Sequence, residues 1–385
     1  MSLKQIRFKM PLVSLYYLFC FPVSRFLSYA WNLGRFLGLF LITQVIRGIF
    51  LTFHYTADSS LAFDSVQYIC YEVNFGWLVR MVHFNGASFI FILLYLHIWK
   101  GLLLSSYRLK FVWASGFSIL FLIIAVAFTG YVLVWSQIRY WAAVVITSLL
   151  RVLPVWGESL LLWIWGSYNV RTATLKLFFT IHFLLPFLIL LVVIVHLLAL
   201  HKVGSTTFLG YSGNLYKVPF FPYYVIKDLI NLVPISLALV FILEYPYLLG
   251  DPEIFQIANP IVSPVHIVPE WYFCACYAIL RSIPRKSLGV LLMVLSLIIP
   301  IFIFLFYSSY SPFVLLTRLL SYLFIFNFVF ISWVGQCPLE APFLVLGSIS
   351  LRIYFSLLFL IIRRFALRKI LFAPSSIFLR SSISL

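Results

Sequence analysis

HFNGASFIFILLYLH, residues 83–97, and HFLLPFLILLVVIVH, residues 182–196, decide the fold and point to the chemistry. Each run is apolar, carries no Asp, Glu, Lys or Arg, and begins and ends on histidine, fourteen residues apart. In a helix, fourteen residues turn through about 1400°, about 40° short of four full turns, and rise about 21 Å. The two histidines of a run therefore share one face, near opposite edges of a hydrocarbon layer about 30 Å thick. Ionisable groups at such depths are costly and mark function. No carboxylate lies at the same depths, which argues against a di-iron site. Two imidazoles per level suit a haem and fill both axial positions of its iron. A six-coordinate iron favours electron transfer over oxygen chemistry.

Working outward, the whole chain reads as membrane protein. It has 385 residues, 64% hydrophobic and only 10% charged, with a mean hydropathy of +1.09. Soluble domains are about 45–50% apolar and about 25% charged. That balance excludes a soluble enzyme, a disordered chain and a nucleic-acid-binding module, although the net charge is +17. Eight apolar segments are long enough to cross a bilayer: 31–53, 77–104, 112–133, 173–200, 225–249, 288–307, 319–339 and 346–362. The stretch between the third and fourth is rich in Trp and suits short interfacial helices. Residues 250–287 form a second long, proline-containing connection, and long loops in compact folds are usually functional.

Charge sets the orientation. With the N-terminus inside, the inner segments sum to +15 and the outer ones to −2, which fits an even number of spans with both ends inside. Lys4, Arg7, Lys9 and Arg25 make 1–30 basic and acid-free. A surface segment is the preferred reading, with a mitochondrial transit peptide as the alternative. The second and fourth segments both run outside to inside, so His83 lies level with His182 and His97 level with His196. Gly34 and Gly48 in the first segment, and Gly116 and Gly130 in the third, repeat the fourteen-residue interval. Such glycines leave room for a macrocycle between helices. The expected fold is an all-α integral membrane protein of eight transmembrane helices, the first four bundled around two stacked haems. Its parts are an inner surface segment (1–30), the haem-binding bundle (31–205), the C-terminal helices with their loop (206–362) and a basic inner tail (363–385). Cys20, Cys70, Cys274, Cys276 and Cys337 form no C-x-x-C, so covalent haem attachment is unsupported.

Several stretches resemble the cytochrome b family of ubiquinol–cytochrome c reductases. They are Trp31-Asn32-Leu33-Gly34, LTFHYTAD (51–58), GWLVRMVHFNGAS (76–88), GYVLVWSQ (130–137), HLLALHKVGS (196–205), PFFPYYVIKD (219–228), the tetrapeptide Pro269-Glu270-Trp271-Tyr272 and YAILRSIP (277–284). The resemblance covers nearly the whole chain. It implies two non-covalent b-type haems and two quinone sites on opposite sides of the mitochondrial inner membrane, with both termini on the matrix side. A Rieske iron–sulfur subunit, a cytochrome c-type subunit, further subunits and a homodimeric complex are the implied partners.

By this resemblance His83 and His182 ligate the outer haem, and His97 and His196 the inner one. Arg80 and Lys100, one turn from His83 and His97, reach propionates. Glu270, with Tyr131 and Tyr277, forms the outer quinol site. His201 and Asp228, with Lys227 and Ser205, form the inner quinone site. Val134, Ser136, Ala142, Leu177 and Phe221 depart from the residues usual in the family. Ala142 stands where Gly is usual, and Ala there is associated with resistance to methoxyacrylate-type inhibitors. The expected activity is quinol oxidation outside and quinone reduction inside, coupled to proton translocation. The competing reading is a proton-conducting or transporter protein without haem, with histidines in the proton path.

Overall fold

Lipid offers no partner to an open backbone N–H or C=O, so a chain this apolar closes its hydrogen bonds within helices. The computed structural model describes residues 22–206, 216–306 and 315–371. Its helices are α1 (Leu33–Thr52), α2 (Ala62–Tyr71), α3 (Gly76–Leu103), α4 (Lys110–Val132), α5 (Gln137–Ser148), α6 (Gly157–Trp165) and α7 (Thr172–Val203). There follow α8 (Tyr223–Leu229), α9 (Leu232–Glu244), α10 (Cys274–Arg281), α11 (Lys286–Ile298), α12 (Leu315–Gln336) and α13 (Phe343–Leu371). Among the described residues, eight spans are long and apolar enough to cross a membrane, α8 and α9 together making the fifth. Each begins one to three residues before its expected start. The fifth ends at Glu244, where Pro246 follows and cannot continue the ladder.

α1 packs along α3 and α4 along α7, giving the bundle its two halves. α1 buries none of its residues, because lipid serves an apolar side chain as well as a protein core does. The main core lies where α3 and α4 meet the C-terminal helices, with Phe91, Leu94, Trp113, Phe117, Ile303 and Leu358 inside it. The Trp-rich stretch forms α5 and α6, as its composition suggests. A short ribbon adds to the helices: β1 (Pro22–Ser24) pairs antiparallel with β2 (Lys217–Pro219). The basic residues at 4, 7 and 9, Cys20 and residues 372–385 of the expected tail lie outside the described residues. α13 itself continues through 371.

Pro186 lies inside α7. Proline has no N–H for the carbonyl four residues earlier, and that carbonyl belongs to His182. The helix is thus relieved of one backbone bond at the turn that carries a candidate ligand.

Candidate functional site

The helix spacing brings His83 of α3 opposite His182 of α7. Their ring centres are 6.2 Å apart and their planes cross at 85°. A metal–imidazole bond is about 2.0–2.1 Å and a ring centre lies about 1.2 Å behind its nitrogen, so two trans imidazoles on one metal ion are about 6.4 Å apart. The pair has the span of a bis-imidazole site. His182 donates from Nδ1 to the Val126 carbonyl at 2.9 Å, which fixes the tautomer with Nε2 free as a ligand. In the second pair, the Ser115 hydroxyl donates to the Phe111 carbonyl and sits 2.9 Å from His196 Nδ1. Its proton is therefore used, and it accepts from His196. Nδ1 of His83 and of His97 is buried without a hydrogen-bond partner among the described residues.

The four glycines do something more specific than widen the bundle. Each faces one histidine. A Cβ on Gly34, Gly48 or Gly116 would lie 3.3 Å from Cε1 of His97, His83 or His196. On Gly130 it would collide with the His182 ring, lying 2.6 Å from Nδ1 and 2.9 Å from Nε2. α1 therefore seats the imidazoles of α3, and α4 those of α7. The equal fourteen-residue intervals follow from that one-to-one contact. Among the described residues no group of three or more His, Cys, Asp or Glu could hold a metal, so two imidazoles per level are the donor set. A haem, which brings four ring nitrogens of its own, fits such a set.

A cavity of about 220 Å³ joins the His83–His182 pair to the connection between α9 and α10. Gly48, His83, Gly130 and His182 line it together with Arg80, Tyr131, Val134, Arg139, Glu270 and Tyr272. Glu270 immediately precedes a short turn, Trp271–Phe273, that is pinned to α3. Trp271 Nε1 donates to Ser88 Oγ at 3.1 Å, the Tyr95 hydroxyl donates to the Tyr272 carbonyl at 2.5 Å, and Tyr272 stacks on Phe91 at 4.1 Å. From the other side, Gln137 donates from Nε2 to Val262 O at 2.6 Å and accepts from Asn259 N at 2.7 Å. Trp141 donates to Asn259 O at 3.1 Å. Burial pushes the Glu270 carboxyl up to about 7, against Arg139 and Arg80, which pull it down.

The other expected site residues are distributed as follows. Arg80 lies 5.1 Å from the Phe84 ring centre, and Lys100 lies 5.3 Å from that of Trp31. Tyr277 rests against the Arg281 guanidinium at 5.2 Å and does not line the cavity; Tyr272 does. Ala142 is buried in α5, 3% exposed, and is also absent from the lining.

A second cleft, between α1 and α8–α9, is lined by Arg35, Leu39, Asp228 and Asn231. Asp228 pairs with Arg35, and Lys227 donates to the Leu27 carbonyl. His201 is exposed and Ser205 half-buried near the end of α7, and neither lines the cleft. Arg35, Asn231 and Arg139 are given no site role by the sequence, and Tyr272 enters there only as part of the tetrapeptide around Glu270. The two arginines were visible there only as charges: Arg35 inside a span, and Arg139 as one of three arginines in the stretch 134–171.

The cytochrome b/b6/petB family model matches residues 18–204, and that of the C-terminal b/b6/petD part matches residues 257–355. A cytochrome b of Caenorhabditis briggsae and one of Caenorhabditis elegans are each 51% identical over 351 residues, 91% of this chain and 95% of theirs. Among solved structures, a chain of a hyperthermophilic respiratory complex III superposes with a TM-score of 0.84 at 27% identity, covering 93% of this chain and 97% of that one.

Proposed function

The chain belongs to the cytochrome b family, haem-binding components of the respiratory quinol–cytochrome c reductases, and from that premise we propose that it is the catalytic subunit, with two b-type haems and two quinone sites. The reading without haem, a transporter, is set aside by the family match. The observation that carries the proposal is the 6.2 Å, perpendicular His83–His182 pair seated on Gly48 and Gly130. The inner pair, His97 and His196, is seated in the same way on Gly34 and Gly116.

When bound, the haems supply a one-electron relay between the two faces of the membrane. The rest of the chemistry belongs to side chains. At the outer cavity Glu270, raised to about 7 by burial, takes a quinol hydroxyl proton at its carboxylate oxygen. Tyr131 shapes the same wall. One electron leaves to an iron–sulfur partner of the Rieske type and then to a cytochrome c-type subunit. The second crosses inward. At the inner cleft Asp228 exchanges protons with a quinone oxygen. Lys227 holds the loop at Leu27, and His201 and Ser205 stand near the end of α7. Protons are thus released outside and taken up inside. Both termini on the matrix side of the mitochondrial inner membrane is the orientation that the charge asymmetry favours, and a homodimeric complex is proposed from the family resemblance.

A pyridine haemochrome assay tests the haem count, with two haems expected per chain. His97→Ala should remove the inner haem and leave the outer one, because a single imidazole cannot hold a six-coordinate low-spin iron. Survival of both with unchanged spectra would show the pairing by depth to be wrong.

A further inference from the structure

Among the described residues, Arg139 is the bulkiest side chain that the fold buries completely, at 1% exposure. It stands in the first turn of α5. Its guanidinium carbon lies 4.9 Å from the Tyr131 ring centre and 5.3 Å from that of Phe84. Arg80 faces the same Phe84 ring at 5.1 Å. Two cations thus share one phenyl ring on the wall of the outer cavity. Nε and Nη2 of Arg139 are buried and meet no acceptor among the described residues. Those two atoms are not an arbitrary pair. They form one edge of the guanidinium, the edge that takes a carboxylate through two parallel hydrogen bonds.

A buried guanidinium cannot escape its desolvation by losing a proton, so it needs an anion. Among the described residues Glu270 is the one acid lining the cavity, no ion pair joins it to Arg139, and the ion pairs are Arg35–Asp228 and Arg151–Glu158. Quinone and quinol head groups are neutral. A b-type haem carries two carboxylates, and the histidines proposed to hold it line this same cavity. We infer that Arg139 takes a carboxylate of the outer haem side-on through Nε and Nη2, so that two guanidinium groups, Arg80 and Arg139, hold the carboxylate edge of that haem. The inference rests on the His83–His182 ligation proposed above. It makes Arg139 a cofactor-binding residue that also sets the potential, since a fixed positive charge favours the reduced iron.

The test is redox titration of both haems in the intact reductase carrying Arg139→Met. At a fixed applied potential the ferric-to-ferrous ratio of the outer haem should rise about tenfold, a fall of about 59 mV for one electron, with the inner haem unmoved. An outer-haem titration equal to that of the wild type overturns the inference. So does a shift that vanishes in a Glu270→Gln background, which would give Arg139 to the glutamate. Should Arg139→Met fail to assemble, Arg139→Lys keeps the charge and loses the planar edge. The propionate bands of its outer haem in resonance Raman spectra should then move, and unmoved bands overturn the inference. Failure of the ligation itself is distinguishable, because wild-type protein would then show fewer than two b haems by pyridine haemochrome.

Discussion

Glu270 is where burial and charge oppose each other most directly. Burial raises its carboxyl to about 7, while Arg139 and Arg80 pull it down. A proton acceptor must be ionised, and below pH 7 the ionised fraction falls about tenfold per unit. Quinol oxidation should therefore slow as pH drops through 7. Glu270→Gln should lose about 10²–10⁴ in rate and abolish that acid limb; an unchanged pH–rate profile would remove Glu270 from the role. The same raised value means that the folded chain binds this proton more tightly than the unfolded one. The group's contribution to stability thus declines as pH rises from the ordinary carboxylate range towards 7. Gly130 makes the complementary case in packing. A Cβ there would meet three atoms of the His182 ring at under 3.0 Å, whereas on Gly116 it would meet His196 no closer than 3.3 Å. Gly130→Ala should cost the outer haem its absorption and spare the inner one, and Gly116→Ala should be milder. Equal effects of the two in the reduced-minus-oxidised spectrum would contradict this ordering.

Between elements, the N-terminal segment and the stretch of α8 are stitched together. Asn32 Nδ2 donates to Asn231 Oδ1 at 2.9 Å, and the Tyr224 hydroxyl donates to Ser24 O at 2.6 Å. Arg35 pairs with Asp228, and Lys227 reaches Leu27. The Arg35 and Asp228 side chains remain 37% and 22% exposed, and exposed pairs contribute about 0–1 kcal/mol. Asp228→Asn should therefore leave thermal stability within about 1 kcal/mol while slowing reoxidation of the inner haem by quinone. A large loss of stability with normal reoxidation would make the aspartate a structural brace instead. The cleft beside it opens between α1 and α8–α9, so its residues come from segments nearly 200 positions apart.

For the whole molecule, eight spans and the charge asymmetry predict which loops share a side. Val155 and Tyr168 between α5 and α7 are 88% and 84% exposed, and Phe111 at the start of α4 is 84% exposed. In sealed, oriented vesicles, cysteines placed at 155 and 168 should react with an impermeant thiol reagent from one side. A cysteine at 111 should react only from the other. Labelling of all three from one side would rule out the proposed threading of α4.

Much of this was legible along the chain. In lipid the backbone must close its own hydrogen bonds, so apolar length alone indicates eight helical spans. The 3.6-residue turn converts a fourteen-residue interval into a shared face, so the histidine pairs and their glycines could be matched by counting. Glu270 was legible through the tetrapeptide around it. What counting could not reach is contact between distant segments. Whether Tyr272 or Tyr277 turns towards Glu270 depends on how the loop is pinned to Ser88 and Tyr95 of α3. Arg35 becomes a cleft residue only because α8 folds back on α1. Arg139 reads in the sequence as one more outer charge. Tertiary packing closes Tyr131, Phe84 and the neighbouring loops over it, and only that desolvation turns a surface charge into a buried guanidinium in need of an anion.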